Sequence, residues 1–236
     1  MEKGTDSHYM ELERYIYEEI VPRYSAFDAA HKEDHALTVI NQALEIMNSR
    51  DSWLDRQEDS ELIWTSEIRR DILLAAAACH DLGLANGRER HHLDSGELIR
   101  KDPNLRKWFK EEDIEIIAQA AEDHRASGKT APRSIYGMIV AEADRVIEPE
   151  DIIRRTILFG FKHYPELSAE AHMNRAMEHL EEKYGRGGYL RLWIPWSDNA
   201  ARLTELQDLI ADKAAVRREI ERIYGSLSQE SGLRDS

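Results

Sequence analysis

The sequence predicts an all-α protein. Apolar residues recur at helical spacing along most of the chain, first between Leu12 and Ile20 and again between Ala36 and Met47. No stretch shows the polar and apolar alternation that is typical of strands. Residues that favour turns separate one helical run from the next. The fold class therefore follows from the periodicity, the missing alternation and the spacing of the turns.

The remaining elements follow the same pattern. After the first two runs, helices are predicted at residues 61–82, 92–101, 111–124, 132–147, 149–162, 168–183 and 199–224. Breaks fall at residues such as Gly83, Pro103 and Pro149. None of the breaks is long enough to be a flexible linker. We therefore expect one helical domain over residues 1–162 and a C-terminal helical extension, residues 163–236, packed on it.

Composition and charge exclude several classes of protein. The chain has 46 Asp and Glu against 32 Lys and Arg, a net charge of −14, and lacks the basic clusters with which proteins bind a nucleic-acid polymer. No apolar stretch reaches the roughly 20 residues that span a bilayer. The N-terminal residues do not resemble a secretory signal, and one cysteine, Cys79, suits a reducing compartment. We expect a cytoplasmic protein without membrane or nucleic-acid partners.

Titratable side chains fall on helix faces that should be buried. Asp144 follows Val140 by four residues, and His124 follows Ala121 by three, so each shares a face with apolar residues. His80 and Asp81 end a segment, residues 72–78, that has no polar side chain. Burying such groups costs several kcal/mol unless they are paired or bind a metal. Their number therefore indicates a functional site.

These residues have the chemistry of metal ligands, because imidazole nitrogens and carboxylate oxygens suit Mn, Fe, Zn, Ni and Mg. A lone buried histidine is more often hydrogen-bonded to the backbone, so the argument depends on the whole set. Neighbouring residues on a helix point about 100° apart, so His80 and Asp81 can converge only where a helix ends. We assign that end to Gly83. The set comprises His35, His80, Asp81, His92, His124 and Asp144.

Three short motifs, taken in order, resemble the HD-domain superfamily of metal-dependent phosphohydrolases. They are His35-Ala-Leu-Thr-Val, His80-Asp81-Leu-Gly and Ala-Glu-Ala-Asp144. The resemblance covers about residues 25–160 and implies an HD-domain helical bundle. It also implies that His35, His80, Asp81 and Asp144 form the basic metal site.

The segments between these motifs resemble HD proteins that bind two metals, such as bacterial hydrolases of dinucleoside polyphosphates. His92 stands four residues before Gly96, and His124 matches the next histidine. No Gly-Tyr-Pro follows His124, unlike the HD-GYP proteins that hydrolyse cyclic di-GMP. At most one of the neighbours His91 and His92 should face the site, and the spacing to Gly96 favours His92. We expect His31 to be a pocket or surface residue.

Cationic side chains lie close to the expected ligands in sequence. Guanidinium groups pair with phosphate oxygens in a bidentate manner, so these residues are candidates for binding a phosphorylated substrate. Ordinary loop charge explains them equally well. They are Arg88, Arg90, Arg125, Lys129 and Arg133.

The resemblance implies an enzyme that uses one or two divalent metal ions (Fe, Mn, Ni, Zn or Mg). A metal-activated water would attack a phosphate ester or anhydride of a small nucleotide-like substrate, with Asp81 binding metal and orienting the water. Two other interpretations stay open. Some HD-fold proteins with these ligands carry two irons and act as oxygenases, and a helical scaffold or sensor would bind metal without catalysis. The extension could cap the pocket, select the substrate or form a homodimer.

Overall fold

The computed structural model describes residues 2–27, 32–58, 62–125 and 130–230 of the chain. Every regular element in these ranges is helical and none is a strand, which confirms the all-α class. The chain divides into two compact units, of which the first comprises residues 1–145 and 193–197 and the second residues 146–192 and 198–236. Within the described ranges, no helix combines the length and the apolar character needed to cross a membrane.

The first unit is a bundle of helices joined by short turns. A π-helical turn, Ile16–Ile20, follows the first helix, and 3₁₀ turns lie at Val21–Ala26, Leu82–Asn86 and Leu105–Lys107. The helices are α1 (Glu2–Tyr15), α2 (Glu33–Leu54), α3 (Leu62–Thr65), α4 (Arg70–Cys79), α5 (His91–Lys101), α6 (Glu111–Asp123) and α7 (Ile135–Ala143).

Helix α4 is the central helix of this unit. Its side chains from Ile72 to Cys79 are all buried, and it contacts α2, α6 and α7. Four successive alanines, residues 75–78, allow these helices to approach closely because the distance between helix axes depends on side-chain size. α4 therefore packs against three neighbouring helices along its buried length.

Two predicted helices are each two helices in the structure. The run at 199–224 divides into Asp198–Ala211 and Lys213–Glu230. Residues 61–82 were expected to form a continuous run, but α3 ends at Thr65 and α4 begins at Arg70. The backbone N–H of Arg69 donates to the hydroxyl of Tyr136 at 2.9 Å instead of to a carbonyl of the preceding turn. A tertiary hydrogen bond thus interrupts the helix at a place where the local sequence has no glycine or proline.

A short segment that we call the return segment, Trp193–Ser197, belongs to the first unit although the second unit precedes and follows it along the chain. The buried carboxylate of Glu142 accepts hydrogen bonds from Trp193 N, at 3.0 Å, and from the Ser197 hydroxyl. The indole N–H of Trp196 donates to Ile46 O at 2.7 Å. The return segment is therefore held by both α7 and α2.

The second unit consists of α8 (Pro149–His163), α9 (Ala169–Tyr184), α10 (Asp198–Ala211) and α11 (Lys213–Glu230) in the described chain. Pro149 occupies the first turn of α8, where its missing N–H costs nothing. α8 contacts α9 and α11 and buries Ile153 and Ile157 in the core of this unit. The second unit begins at Val146, whereas the C-terminal extension was expected to begin at residue 163.

Candidate metal centre

Several helices of the first unit end at one place. His80, His124 and Asp144 are the residues that directly follow α4, α6 and α7, and Asp81 follows His80. His35 lies in the first turns of α2. Because the helix ends point to one place, side chains that are far apart in sequence converge there.

The first group of side chains surrounds one oxygen of Asp81. His80 Nε2 lies 3.5 Å and His35 Nε2 lies 3.8 Å from Asp81 Oδ2. Asp144 Oδ1 approaches the same two nitrogens, at 3.2 Å from His35 and 3.8 Å from His80. His35, His80 and Asp81 can together hold a metal ion, with Asp144 beside them.

The second group surrounds the other oxygen of the same carboxylate. His124 Nε2 lies 3.3 Å and His91 Nε2 lies 3.4 Å from Asp81 Oδ1. Asp81, His91 and His124 again offer three ligand atoms close enough together to hold a metal ion. Asp81 therefore belongs to two adjacent groups, one at each of its oxygens.

Three of the histidines are oriented in the same way. In each, Nδ1 lies within hydrogen-bonding distance of the backbone carbonyl three residues earlier. The pairs are His80 with Ala77 at 2.7 Å, His91 with Arg88 at 2.7 Å and His124 with Ala121 at 2.5 Å. A neutral imidazole that donates from Nδ1 has its lone pair on Nε2, the nitrogen that faces Asp81. This second hydrogen bond is typical of histidines that bind metals.

The central atoms of the cluster fit a cation. Among the residues that the structure describes, His80 Nε2 and Asp81 Oδ1 are buried and have no hydrogen-bond partner. Nitrogen lone pairs and carboxylate oxygens that face each other repel unless a positive charge lies between them. The donor set is thus suited to divalent ions that accept nitrogen and oxygen ligands.

The pKa values of the cluster shift in different directions. Burial lowers the pKa of His35 and of His124, but the nearby carboxylates of Asp144 and Asp81 outweigh burial and raise it. Burial raises the pKa of the Asp81 carboxyl, but the imidazoles of His80, His124 and His91 outweigh burial and hold that pKa well below its usual range. Burial lowers the pKa of His80, which favours the neutral imidazole. An ionised carboxylate and a neutral imidazole are the forms that bind metal ions.

The structure differs from the sequence prediction at one position, because His91 joins the cluster and His92 does not. On α5, His91 and Ser95 are four residues apart and face the turn after α4, where Ser95 Oγ accepts from Gly83 N at 2.8 Å. His92 and Gly96 share the next face, where Gly96 packs against Glu122 of α6. The spacing to Gly96 therefore indicated the face of α5 next to the one that faces Asp81, and the buried Ser95 lies on the face of His91.

His92 has a different environment. Its ring centroid lies 5.5 Å from that of His91, and burial, together with the charge of Arg125, lowers its pKa to about 4. Its Nδ1 atom is buried and has no hydrogen-bond partner in the described chain. His92 therefore packs beside the cluster without facing Asp81.

We expect the two neighbouring histidines to differ when each is replaced. His91→Ala removes one of three ligand atoms on the Oδ1 side, so the affinity for a second metal ion should fall more than the roughly 100-fold lost with outer-shell partners. His92→Ala should leave both affinities within about twofold, as for substitutions away from a site. Titration calorimetry of both variants with Mn²⁺ measures this. Equal losses would contradict the assignment of His91.

Gly83 allows the start of α5 to pack closely against the turn that follows α4. A Cβ atom at Gly83 would lie 2.0 Å from the carbonyl oxygen of His91 and 2.5 Å from Ser95 N. Its φ is not positive, since Gly87 is the only glycine with positive φ in the described ranges. Glycine is needed here for close approach. This corrects the expectation that Gly83 ends the helix, because α4 already ends at Cys79.

The cationic candidates fall into different surroundings. Arg88 lines a cavity of about 350 Å³ together with Ala26, Phe27, Leu84 and Ala85. Arg90 is exposed and directly precedes α5. The Arg125 guanidinium donates to the backbone oxygen of Glu89 at 3.0 Å.

Arg133 is already paired with carboxylates. Its guanidinium lies 2.6 Å from Glu122 Oε2 and 2.8 Å from Asp123 Oδ1. These two ion pairs would compete with a phosphate group for the Arg133 guanidinium. Lys129 and His31 lie outside the described residues.

Comparison with known families agrees with this geometry. Residues 33–147 match the HD domain family, and this range includes every residue of the cluster. No curated protein and no solved structure gave a significant match. The match of this segment is consistent with the HD-domain superfamily, whose members are mostly metal-dependent hydrolases.

Proposed function

We propose that the protein is a metal-dependent phosphohydrolase that cleaves a phosphate ester or anhydride of a nucleotide-like substrate. The observation that carries this proposal is the position of Asp81, whose two oxygens face two separate sets of imidazole nitrogens. This arrangement suits two divalent ions with one carboxylate between them. His35, His80 and Asp144 would hold one ion, and His91 and His124 the other.

The residues of the chain prepare this site for hydrolysis. Divalent ions bound here would supply an activated water and polarise a phosphoryl oxygen. The backbone carbonyls at Ala77, Arg88 and Ala121 fix the histidine rings, so that little reorganisation is needed on binding. Asp81, ionised and almost fully buried, can also orient the water that attacks phosphorus.

The loop between the two ligand groups supports a substrate with an apolar part. Residues 82–90 join Asp81 to His91, and Leu84, Ala85 and Arg88 of this loop line the 350 Å³ cavity with Phe27. That volume lies within the range of small-molecule sites. Apolar walls with one guanidinium suit a planar base next to a phosphate group.

Metal analysis followed by an activity screen tests the proposed function. Elemental mass spectrometry of untagged protein purified without chelator should find one or two divalent ions per chain. The loaded protein should then release phosphate or a nucleoside monophosphate from a panel of nucleotides and dinucleoside polyphosphates. Turnover that persists after complete metal removal would contradict the proposal. Two irons with oxygen consumption and no hydrolysis would instead favour the oxygenase interpretation.

We expect Arg88 and Arg133 to behave differently in that assay. A charge-assisted hydrogen bond contributes about 1.5 to 3 kcal/mol, so Arg88→Met should lower kcat/KM by roughly 10- to 100-fold, mainly through KM. Arg133→Met should leave KM unchanged because Arg133 is not among the described residues that line the cavity with Arg88. Steady-state kinetics of both variants measure the difference. A larger KM effect at Arg133 would refute the assignment.

A further inference from the structure

The turn that carries His80 and Asp81 has an unusual set of backbone partners. The last carbonyls of a helix lack intrahelical partners and need other donors. Here His80 Nδ1 bonds the Ala77 oxygen at 2.7 Å, and the Tyr24 hydroxyl donates to the Ala78 oxygen at 2.9 Å. The same hydroxyl accepts from Asp81 N at 3.2 Å. One phenol oxygen therefore joins the end of α4 to the residue that both ligand groups share.

Tyr24 reaches this turn from outside the HD domain match. It lies in the 3₁₀ turn Val21–Ala26, before the matched residues 33–147. Its side chain is fully buried, and its ring lies 5.3 Å from that of Phe27 and 6.2 Å from that of His80. The ring is thus held by packing, which leaves the hydroxyl little freedom to move away from the turn.

We propose that Tyr24 is a positioning residue that sets the orientation of Asp81, so that each carboxylate oxygen faces its own group of histidines. The inference rests on the proposed function, because it concerns the same two-metal site. The Asp81 oxygens lie between 3.3 and 3.8 Å from four imidazole nitrogens. A rotation of the Asp81 backbone would improve one set of contacts and lose the other. The hydroxyl that binds Asp81 N opposes that rotation.

Tyr24→Phe tests this role, with Tyr15→Phe as its matched control. Tyr15 also loses a hydroxyl hydrogen bond on substitution, to Asp102 at 2.8 Å, but at a position apart from the cluster. Co²⁺ titrations followed by calorimetry and by visible absorption report affinity and ligand geometry. We expect Tyr24→Phe to lose about 10- to 100-fold in affinity for at least one ion, with a changed Co²⁺ spectrum. Tyr15→Phe should match the wild type in both.

Thermal unfolding of the metal-free proteins shows whether the two variants lose similar stability. If Tyr24→Phe is as stable as Tyr15→Phe and has wild-type affinities and spectrum, Tyr24 is only a packing residue and the inference is wrong. If the wild type binds two ions and Tyr24→Phe does not differ from Tyr15→Phe, the role of Tyr24 is wrong and the proposed function stands. If the wild type binds no ion, the proposed function and the role of Tyr24 are both wrong.

A second measurement does not depend on the variant folding. In the metal-free wild type, the Asp81 amide should be protected from hydrogen exchange, because the buried Tyr24 hydroxyl accepts its hydrogen bond. Mass spectrometry of peptides that cover residues 78–82 measures this protection. Exchange at the rate of an exposed loop would overturn the proposal.

Discussion

Replacement of Asp81 by alanine should abolish the binding of both metal ions. Among the residues that the structure describes, Asp81 has the one side chain that belongs to both candidate ligand groups, and its two oxygens face different histidines. Its removal leaves the imidazoles of His91 and His124 without a carboxylate, and it leaves Asp144 as the one carboxylate beside His35 and His80 among the described residues. We expect less than one ion per chain and a loss of phosphate release greater than the roughly 100-fold seen for outer-shell partners.

Asp71→Ala is a suitable control for this result. Asp71 lies in the first turn of the same helix, α4, and pairs with Arg69 at 2.7 Å, at the end opposite the cluster. It should keep the wild-type metal content, because a partly exposed ion pair contributes at most about 1 kcal/mol. If Asp81→Ala retained two ions and normal turnover, the shared carboxylate could not be the centre of the site.

Gly83→Ala should separate the two ligand groups. The added Cβ would lie 2.0 Å from the His91 carbonyl oxygen and 2.5 Å from Ser95 N, so the start of α5 must move. His91 would then lose its position beside Asp81, whereas His35, His80 and Asp144 come from other elements. We expect one ion to remain bound and the second to be lost. Overpacking of this kind should also lower the free energy of unfolding by about 1 to 3 kcal/mol.

Gly225→Ala controls for the effect of adding a methyl group. Gly225 lies inside α11, and a Cβ atom there would meet nothing within 4 Å. The substitution should stabilise the protein by up to about 1 kcal/mol, because alanine is the better helix former. Elemental analysis and chemical unfolding of both variants measure the two effects. Two bound ions in Gly83→Ala would show that α5 can shift without consequence for the site.

Much of the fold was predictable because it depends on local patterns. Helical periodicity located α2 and α5 through α9, and it predicted α10 and α11 as one continuous helix. The residues buried on the inner faces of these helices followed from the same spacing. The break between α3 and α4 was not predictable, since it depends on the hydroxyl of Tyr136, a residue distant in sequence. Periodicity identifies a buried face without identifying the helix that covers it.

The candidate site shows the same limit at the level of single residues. Polar groups on apolar faces predicted that His80, Asp81, His124 and Asp144 would be buried or partly buried, and the structure brings them together. The choice between His91 and His92 depends on a rotation of α5 that Gly83 sets by contact, which spacing cannot show. Tyr24 gave no sequence signal, because one aromatic residue before the motifs looks like core packing.

The return segment has a consequence for the order in which the chain can complete its fold during synthesis. The ribosome delivers α7, with its buried Glu142, well before Trp193 and Ser197, the residues that satisfy that carboxylate. Translation adds about 5 to 20 residues per second, so helices α8 and α9 emerge during an interval of seconds in which Glu142 lacks these donors. The unit that carries the candidate metal ligands thus becomes complete only after about half of the next unit has been made.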